Sequence, residues 1–453
     1  MKFPFGKDAE HPYLLAIVTL GVTVFLSKLW QGDMRGDSLF YAEVAKEILK
    51  TGDWLTMHFA YKPYFNKPPL LFWLTALNYK LFGVNCFSAR LWSPLIALVS
   101  GIALYFLTSR IFDRKTAFLA AIILFMTRDF IKDNMGLRMD STVVLSLILF
   151  LLLLEKDFSL KYALGAGVAL GIGLLAKSYA GLYGPLIFAV WNLIRGRGKR
   201  IISPSFIVAV AVGLGLFSLW LIPVYVINGK PFFDAFIGKE TLSTLAGLNP
   251  YSKGKIYYIK VLLKTYWPWL LLLPVAIYRL CKDAPLEAKS LLLSWVGVVT
   301  FSLLFPKPEY GRYMMPLYPA FAMAVGFFIS HFLDEIKTVK LAKAITLGSI
   351  LTFFVLNVFP VRLHRISYEA LRELKPLIDY RRAKGEKIYV FRPHPRTFQA
   401  VIYYLDFVPS ISSDPETIPS GVTVIAEGKH RELLRGRCEE RLFNGSYAVF
   451  ECR

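Results

Sequence analysis

Glutamine is nearly absent from this chain: Gln31 and Gln399 stand alone among 453 residues, beside many lysines and glutamates, a balance that points towards heat stability. Charge is scarce as well. Asp, Glu, Lys and Arg make up 19% of the chain, where a soluble domain carries about a quarter. That excludes an ordinary solvated surface. Acidic residues are the rarer sign, 32 against 53 basic ones, for a formal net charge of +21. Cysteine is limited to four residues and no zinc-type cluster of Cys and His is present. No internal repeat and no low-complexity segment interrupts the chain. The first apolar run has no small-residue cleavage site after it, so no cleavable signal peptide is expected.

What is abundant is apolar: 55% of the residues are hydrophobic. They come in runs that are almost free of charge and separated by short basic tracts. A bilayer core needs roughly 20 such residues per helix, and unpaired backbone groups are not tolerated in lipid, so these runs are helices. Eleven spans are read, at about 12–29, 88–108, 117–135, 141–154, 162–180, 182–194, 201–225, 266–280, 290–305, 313–332 and 342–361. The third is interrupted by Arg128, Asp129, Lys132 and Asp133, and the link Tyr179–Pro185 between the fifth and sixth is very tight.

The charge then reads as topology rather than as nucleic-acid binding, the usual meaning of such a surplus in a soluble protein. Arg110, Arg114 and Lys115 follow span two; Arg195, Arg197, Lys199 and Arg200 follow span six; Arg279, Lys282 and Lys289 follow span eight; Lys337, Lys340 and Lys343 follow span ten. All of these share one side if the N-terminus is cytosolic. Eleven spans then leave the tail outside. Residues 1–361 are expected to form the membrane domain, with outer loops at 30–87 and 226–265. The first loop has a helical pattern at Tyr41–Leu49 and an apolar stretch at Leu70–Leu81, and is expected to hold helices along the membrane surface. Phe232, Phe233, Phe236, Tyr257 and Tyr258 give the second an interfacial character.

The tail, 362–453, is polar. Strand-like runs at Lys387–Phe391, Val422–Ala426 and Tyr447–Glu451 alternate with helical stretches at Tyr368–Lys384, Phe398–Leu405 and Lys429–Arg435, the pattern of a small α/β domain. Cys438 and Cys452 are close enough in sequence to pair in an oxidising compartment; free thiols are the expectation.

The residues with chemistry fall on the outer side. Asp37 follows span one and precedes a helix; it reads as an N-cap or as a functional acid. Tyr41 and Glu43 sit on that helix, where Glu43 reads equally as a solvated charge. Lys67 precedes Pro68 and Pro69, which stiffen its backbone; it suits a lipid phosphate, or simply snorkels at the interface. Arg138, Met139 and Asp140 join spans three and four. Lys177 ends span five. Lys307, Glu309, Arg312 and Tyr313 lie between spans nine and ten. Each on its own is compatible with a structural ion pair. Together they converge on one side, and ionisable residues at membrane depth are costly enough to mark functional cavities.

In order, Asp37…Tyr41-Ala42-Glu43, Gly52-Asp53-Trp54, Tyr64-Phe65-Asn66-Lys67-Pro68-Pro69, Arg138-Met139-Asp140, Lys177 and Lys307-Pro308…Arg312-Tyr313…Pro316 resemble the protein-mannosyltransferase-like GT-C superfamily. Within it, the likeness is to bacterial transferases of the lipid A aminoarabinose type. It covers about 12–330, and its strength lies in the order of the motifs. The resemblance implies an all-α polytopic membrane protein of the GT-C fold, with about eleven transmembrane helices and a small external C-terminal α/β domain. It implies an inverting glycosyltransferase of the bacterial inner membrane, with its active site and C-terminal domain on the periplasmic side. The donor would be a polyprenyl phosphate-linked sugar, and the acceptor lipid A or another envelope glycolipid. Carried over by position, Asp37 is the first-loop catalytic acid, Asp140 the second acid and Lys67 the carrier-phosphate lysine. Lys177, Arg312 and Tyr313 line the donor site, with Arg138, Tyr41, Glu43 and Lys307 around the substrate cavity. The chain departs from the pattern at Ser38 and Phe40, where Glu and Arg are frequent, and at Asn66, where an acid often precedes the lysine. No cofactor is expected, and a divalent metal is left open. The partners expected are the lipid donor, the acceptor and membrane lipid, with no nucleic acid.

The chemistry agrees with this. Departure of a phosphate from a sugar leaves negative charge on the phosphate, which fixed cations stabilise. A hydroxyl acceptor additionally requires a base, for which Asp37 is the candidate. Two other readings remain: a protein O-mannosyltransferase-like enzyme, and a lipid-linked-sugar transporter or flippase. A transporter commonly shows repeats and midplane charges, neither of which is present. The sugar is not legible.

Overall fold

The computed structural model describes residues 10–452 apart from 28, 31–33, 35, 157–158, 245, 249–251, 308, 359–367 and 369. The chain begins with α1 (Glu10–Leu26). The first loop carries α2 (Asp37–Thr51), a short antiparallel pair β1 (His58–Phe59) and β2 (Lys62–Pro63), α3 (Leu70–Phe82) and α4 (Cys86–Arg90). Next come α5 (Trp92–Ile111), α6 (Arg114–Phe125), α7 (Arg128–Asn134), α8 (Asp140–Lys156), α9 (Leu160–Lys177), α10 (Tyr183–Ile194) and α11 (Pro204–Phe232). The second loop carries a π-helix (Phe233–Ser243) and α12 (Ile256–Thr265). Then follow α13 (Trp269–Asp283), α14 (Leu286–Ser302), a 3-10 turn (Gly311–Leu317), α15 (Tyr318–Ser330) and α16 (Glu335–Val358). The tail holds α17 (Leu371–Ala383), β3 (Ile388–Phe391), α18 (Pro395–Leu405), β4 (Ser410–Ser412), β5 (Val422–Glu427), β6 (Cys438–Phe443) and β7 (Tyr447–Cys452).

A helix falls on each of the eleven apolar runs. Among the described residues, five stretches are long and apolar enough to cross a membrane by themselves: Cys86–Ile111, Leu160–Ile194, Pro204–Ser243, Gly311–Ser330 and Glu335–Val358. A sixth is added if α12 and α13, bent by 108°, count as one. Of the rest, α1, α8 and α14 have 17 residues, the lower limit for a crossing. The third run breaks after Phe125, and α7 carries the charged residues. Asp129 is accommodated there by burial against protein, accepting a hydrogen bond from the Tyr318 hydroxyl at 3.1 Å. The tight link after α9 is a 3-10 turn, Ser178–Leu182, and Gly181 makes it feasible: a Cβ there would collide with the backbone of Gly173 and Leu174.

The chain divides into two compact units. The first comprises residues 1–29, 65–71 and 90–360. Its apolar core runs through α1, α5, α6, α8 and α15, with Tyr13, Phe118, Phe125, Phe130 and Phe150 fully buried. α16 instead presents Leu347, Leu351 and Phe354 outwards, the face a lipid-contacting helix shows. One end of this unit collects the basic loops. Arg195 pairs with Glu287 at 2.5 Å and Arg200 with Glu155 at 3.8 Å. Lys115 donates to the Leu333 carbonyl at 3.0 Å, and the Tyr13 hydroxyl to Glu335 at 2.7 Å. Arg110 donates to the Leu152 carbonyl at 2.9 Å, so the loops after spans two, four, six, eight and ten meet, as the alternation of basic loops predicts.

The second unit joins residues 30–64 and 72–89 of the first loop to 361–453. Its sheet has the order β4-β3-β5-β7-β6, parallel between β4, β3 and β5 and antiparallel from β5 to β7 and β6. The strands expected from the sequence are β3, β5 and β7; β4 and β6 were not expected, being short or exposed with no alternating apolar pattern. The expectation of free thiols is corrected: Cys438 and Cys452 form a disulfide. They face each other across the β6–β7 ladder with Cα atoms 4.0 Å apart, a proximity that pairing register creates and sequence separation hides. Helix α2 also differs from a surface-lying helix. Every residue from Tyr41 to Ile48 is buried, because α18 packs on it. Lys46 donates to the Tyr403 carbonyl at 2.8 Å and pairs with Asp406 at 2.7 Å, and Lys50 pairs with the same carboxylate.

Candidate active site

Four of the residues singled out by sequence meet in the first unit. Asp140 is the first residue of α8 and Lys177 the last of α9, so each charge lies at the helix end whose dipole favours it. Their side chains form an ion pair. The Lys177 ammonium also lies 5.0 Å from the centre of the Tyr313 ring, and the Arg312 guanidinium 4.6 Å from that of Tyr310. Asp140 is buried, and both Arg312 and Arg138 act on it electrostatically.

Asp140, Lys177, Arg312 and Tyr313 line one cavity of about 430 Å³. Its remaining wall is mostly apolar, and a long flank of it comes from two helices. Leu186 and Val190 follow Tyr183 along α10 at the three- and seven-residue steps that keep one face. Val298 and Phe301 come from α14. The Tyr183 hydroxyl and Ser302 hydroxyl share a hydrogen bond of 2.7 Å. A concave site with a few polar groups at the helix ends and a long apolar flank suits an amphiphile with an anionic head.

The other residues are placed as follows. Arg138 is tied by its backbone: its N–H donates to the Ser93 hydroxyl at 2.9 Å, and its carbonyl accepts from that hydroxyl at 3.0 Å. Lys307 lies beside Gly247 of the second loop. Lys67 does not line the cavity; it pairs with Glu240 on the π-helix. Asp37, Tyr41 and Glu43 belong to the second unit. Asp37 is the first residue of α2, and the cap position is taken by Gly36, at φ 55° and with no side-chain cap bond. The cap reading of Asp37 therefore does not hold. Tyr41 packs edge-on against Phe40 and Phe72. Glu43 is wholly buried rather than solvated, 3.3 Å from Lys46 and 3.5 Å from Lys50.

The parts of two groups escaped the sequence reading. Glu240, in the second loop, is not among the residues that the sequence singles out. Glu309 belongs to the outer-side group read from the sequence, but its enclosure and its partners are not legible there; it is fully buried. It accepts from the Ser252 hydroxyl at 2.9 Å and the Lys253 N–H at 2.8 Å, and pairs with Lys255 at 3.2 Å. Burial pushes its carboxyl up, but these donors outweigh it and hold the group at about 2. Glu309 thus clips the second loop to the segment that carries Arg312.

A divalent metal does not fit these residues. Among the described residues no group of three or more His, Cys, Asp or Glu could hold one. The one carboxylate on the cavity wall is surrounded by cations, which would repel a metal ion.

A family model described as dolichyl-phosphate-mannose-protein mannosyltransferase matches residues 66–222, the stretch that holds Lys67, Arg138, Asp140 and Lys177. An undecaprenyl phosphate-alpha-4-amino-4-deoxy-L-arabinose arabinosyl transferase of Pseudomonas fluorescens is 26% identical over 351 residues, 75% of this chain and 59% of that protein. One from Erwinia tasmaniensis is 26% identical over 313 residues, 66% of this chain and 55% of that protein. The chain thus spans less than two thirds of the length of these relatives. Among solved structures, ArnT from Cupriavidus metallidurans bound to undecaprenyl phosphate superimposes with a TM-score of 0.76 at 16% identity, covering 98% of both chains. The oligosaccharyltransferase AglB of Archaeoglobus fulgidus does so with 0.56 at 13% identity, over 95% of this chain and 70% of that one. The fold is the GT-C fold of a multi-pass membrane protein, and the resemblance read from the motifs is the one the comparisons return.

Proposed function

We propose that the chain is an inverting glycosyltransferase that takes a sugar from a polyprenyl phosphate of the undecaprenyl kind. The sugar passes to lipid A or another envelope glycolipid at the periplasmic face of the bacterial inner membrane. The observation that carries this reading is the cavity in which Lys177, Arg312 and Asp140 adjoin an apolar flank from α10 and α14. An isoprenoid chain matches the flank, and its phosphate matches the cations. The names of the relatives, which act on undecaprenyl phosphate-linked aminoarabinose, support the same donor class.

The chemistry follows from charge. The bond between the anomeric carbon and the phosphate oxygen breaks, the phosphate gains negative charge and the sugar becomes cation-like. Lys177 and Arg312 stabilise the departing phosphate without a proton transfer. Asp140 holds Lys177 in place and offers negative charge to the sugar. Asp37 is the proposed base towards a hydroxyl acceptor; a phosphate acceptor is already ionised, and Asp37 then orients the sugar. The disulfide between Cys438 and Cys452 suits an oxidising compartment for the tail, and the gathered basic loops suit the cytosol.

The test is transfer of radiolabelled sugar from undecaprenyl phosphate by the purified protein, with carrier affinity measured in detergent. Lys177→Ala and Arg312→Ala each remove a charged contact worth about 1.5–3 kcal/mol, roughly ten- to hundredfold in Kd. Unchanged affinity in both would remove the cavity from the donor site. Movement of intact lipid-linked sugar across liposomes without transfer would make the chain a flippase.

A further inference from the structure

Lys67 already holds an anion. The segment 65–71 belongs to the membrane unit, apart from the rest of the first loop, and it docks on the second loop at two points. Phe65 packs edge-on against Phe232 at 5.4 Å, and Phe232 stacks on Phe236 at 5.3 Å, with Trp220 against both. Two residues on from Phe65, Lys67 meets the Glu240 carboxylate. Phe232 ends α11 and Glu240 lies in the π-helix that directly continues it, so one continuous helical stretch supplies both contacts. The side chains of the ion pair are only 19% and 29% exposed, and Pro68 and Pro69 stiffen the backbone that presents the lysine. The turn type adds weight, because π-helical segments are rare and concentrate at functional positions. Here it is continued by hydroxyl bonds from Thr241 to the Phe236 carbonyl and from Ser243 to the Gly238 carbonyl, both 2.9 Å.

If Lys67 receives the carrier phosphate, the role that the motif resemblance gives it, that phosphate and the Glu240 carboxylate compete for one ammonium. We propose that Glu240 is a positioning and specificity residue: it is the counter-ion of Lys67 in the donor-free protein and is exchanged for the phosphate when donor binds. The exchange sets the donor's affinity. It also excludes uncharged isoprenoid alcohols, which bring no anion to take the place of the carboxylate.

The probe is undecaprenyl phosphate without sugar, titrated in detergent, with undecaprenol as the uncharged control. Glu240→Gln removes the competing charge at nearly constant size. Carrier Kd is expected to fall about two- to fivefold, the worth of a partly exposed ion pair. KM for the sugar donor falls alike and kcat is unchanged. Glu240→Asp keeps the charge and stays near the parent value. In a Lys67→Ala background the gain from Glu240→Gln vanishes, a dependence that a purely structural role for Glu240 would not produce. Glu240→Ala is the second variant should Glu240→Gln fold poorly. If Lys67→Ala weakens carrier binding while neither Glu240→Gln nor Glu240→Ala tightens it, the exchange is wrong and the donor reading stands. If Lys67→Ala leaves carrier affinity unchanged, the donor reading at Lys67 fails and the exchange falls with it.

Discussion

Asp37 shows what one residue can and cannot reveal. From sequence it was equally a helix cap and an acid with chemistry, because both want Asp before a helix. The structure removes the cap, since Gly36 occupies that position without a side-chain bond and Asp37 opens the first turn. A first-turn carboxylate still interacts with the helix dipole, for about 0.3–1 kcal/mol. Asp37→Asn keeps the size of the side chain and removes its charge. As a proposed base it should lose about a hundredfold to ten-thousandfold in transfer rate. Turnover measured on folded, carrier-binding Asp37→Asn decides this: near-parental rates would leave Asp37 a structural role, and Asp140 would become the leading acid. Asp140 and Lys177 were legible individually, as charges at the ends of apolar runs. Their pairing was not, because 37 positions separate them and nothing local links the start of α8 to the end of α9. Glu240 and Glu309 were illegible for the same reason, since a lone glutamate in a loop carries no mark of the lysine it will meet.

Among the elements, the helices were legible, α2 and α3 of the first loop included, and the enclosure of α2 was not. A run of apolar residues declares itself through lipid solubility alone. The enclosure of α2 does not, because what it packs on lies more than 300 positions away. Its charges are explained by α18: Lys46 and Lys50 converge on Asp406 and enclose Glu43. Burial raises the Asp406 carboxyl, but bonding to the two lysines prevails and brings it from an ordinary 3.8 to about 2. A depressed carboxylate contributes its stability above the unfolded value, and loses it as pH falls from about 3.8 towards 2. Asp406→Asn should cost about 0.5–1 kcal/mol near neutrality, the upper range for a pair whose acid is partly solvated. The gap in melting temperature between Asp406→Asn and its parent should close as pH drops through that window. A gap that persists at pH 2 would show that the α2–α18 clamp is not ionic.

For the whole molecule, sidedness is the property to test. The basic loops meet at one end of the membrane unit through Arg195–Glu287, Arg200–Glu155 and Lys115–Leu333, and positive charge stays cytosolic. Cys281 is exposed in the last turn of α13 and Ser413 is exposed in the tail. An impermeant thiol reagent on intact spheroplasts should label Ser413→Cys and spare Cys281 until the membrane is opened. The reverse pattern would invert the topology. The sequence by itself determined the class of the protein, its helical runs, the alternation of its basic loops and the polar character of its tail. Each depends on composition within a window of some twenty residues, the scale on which a bilayer selects segments. The tertiary structure alone decided that Cys438 meets Cys452, that α2 is enclosed with α18, that Asp140 holds Lys177 and that Glu240 occupies Lys67. Those contacts depend on strand register and helix packing between distant segments, and no local pattern of residue types encodes either.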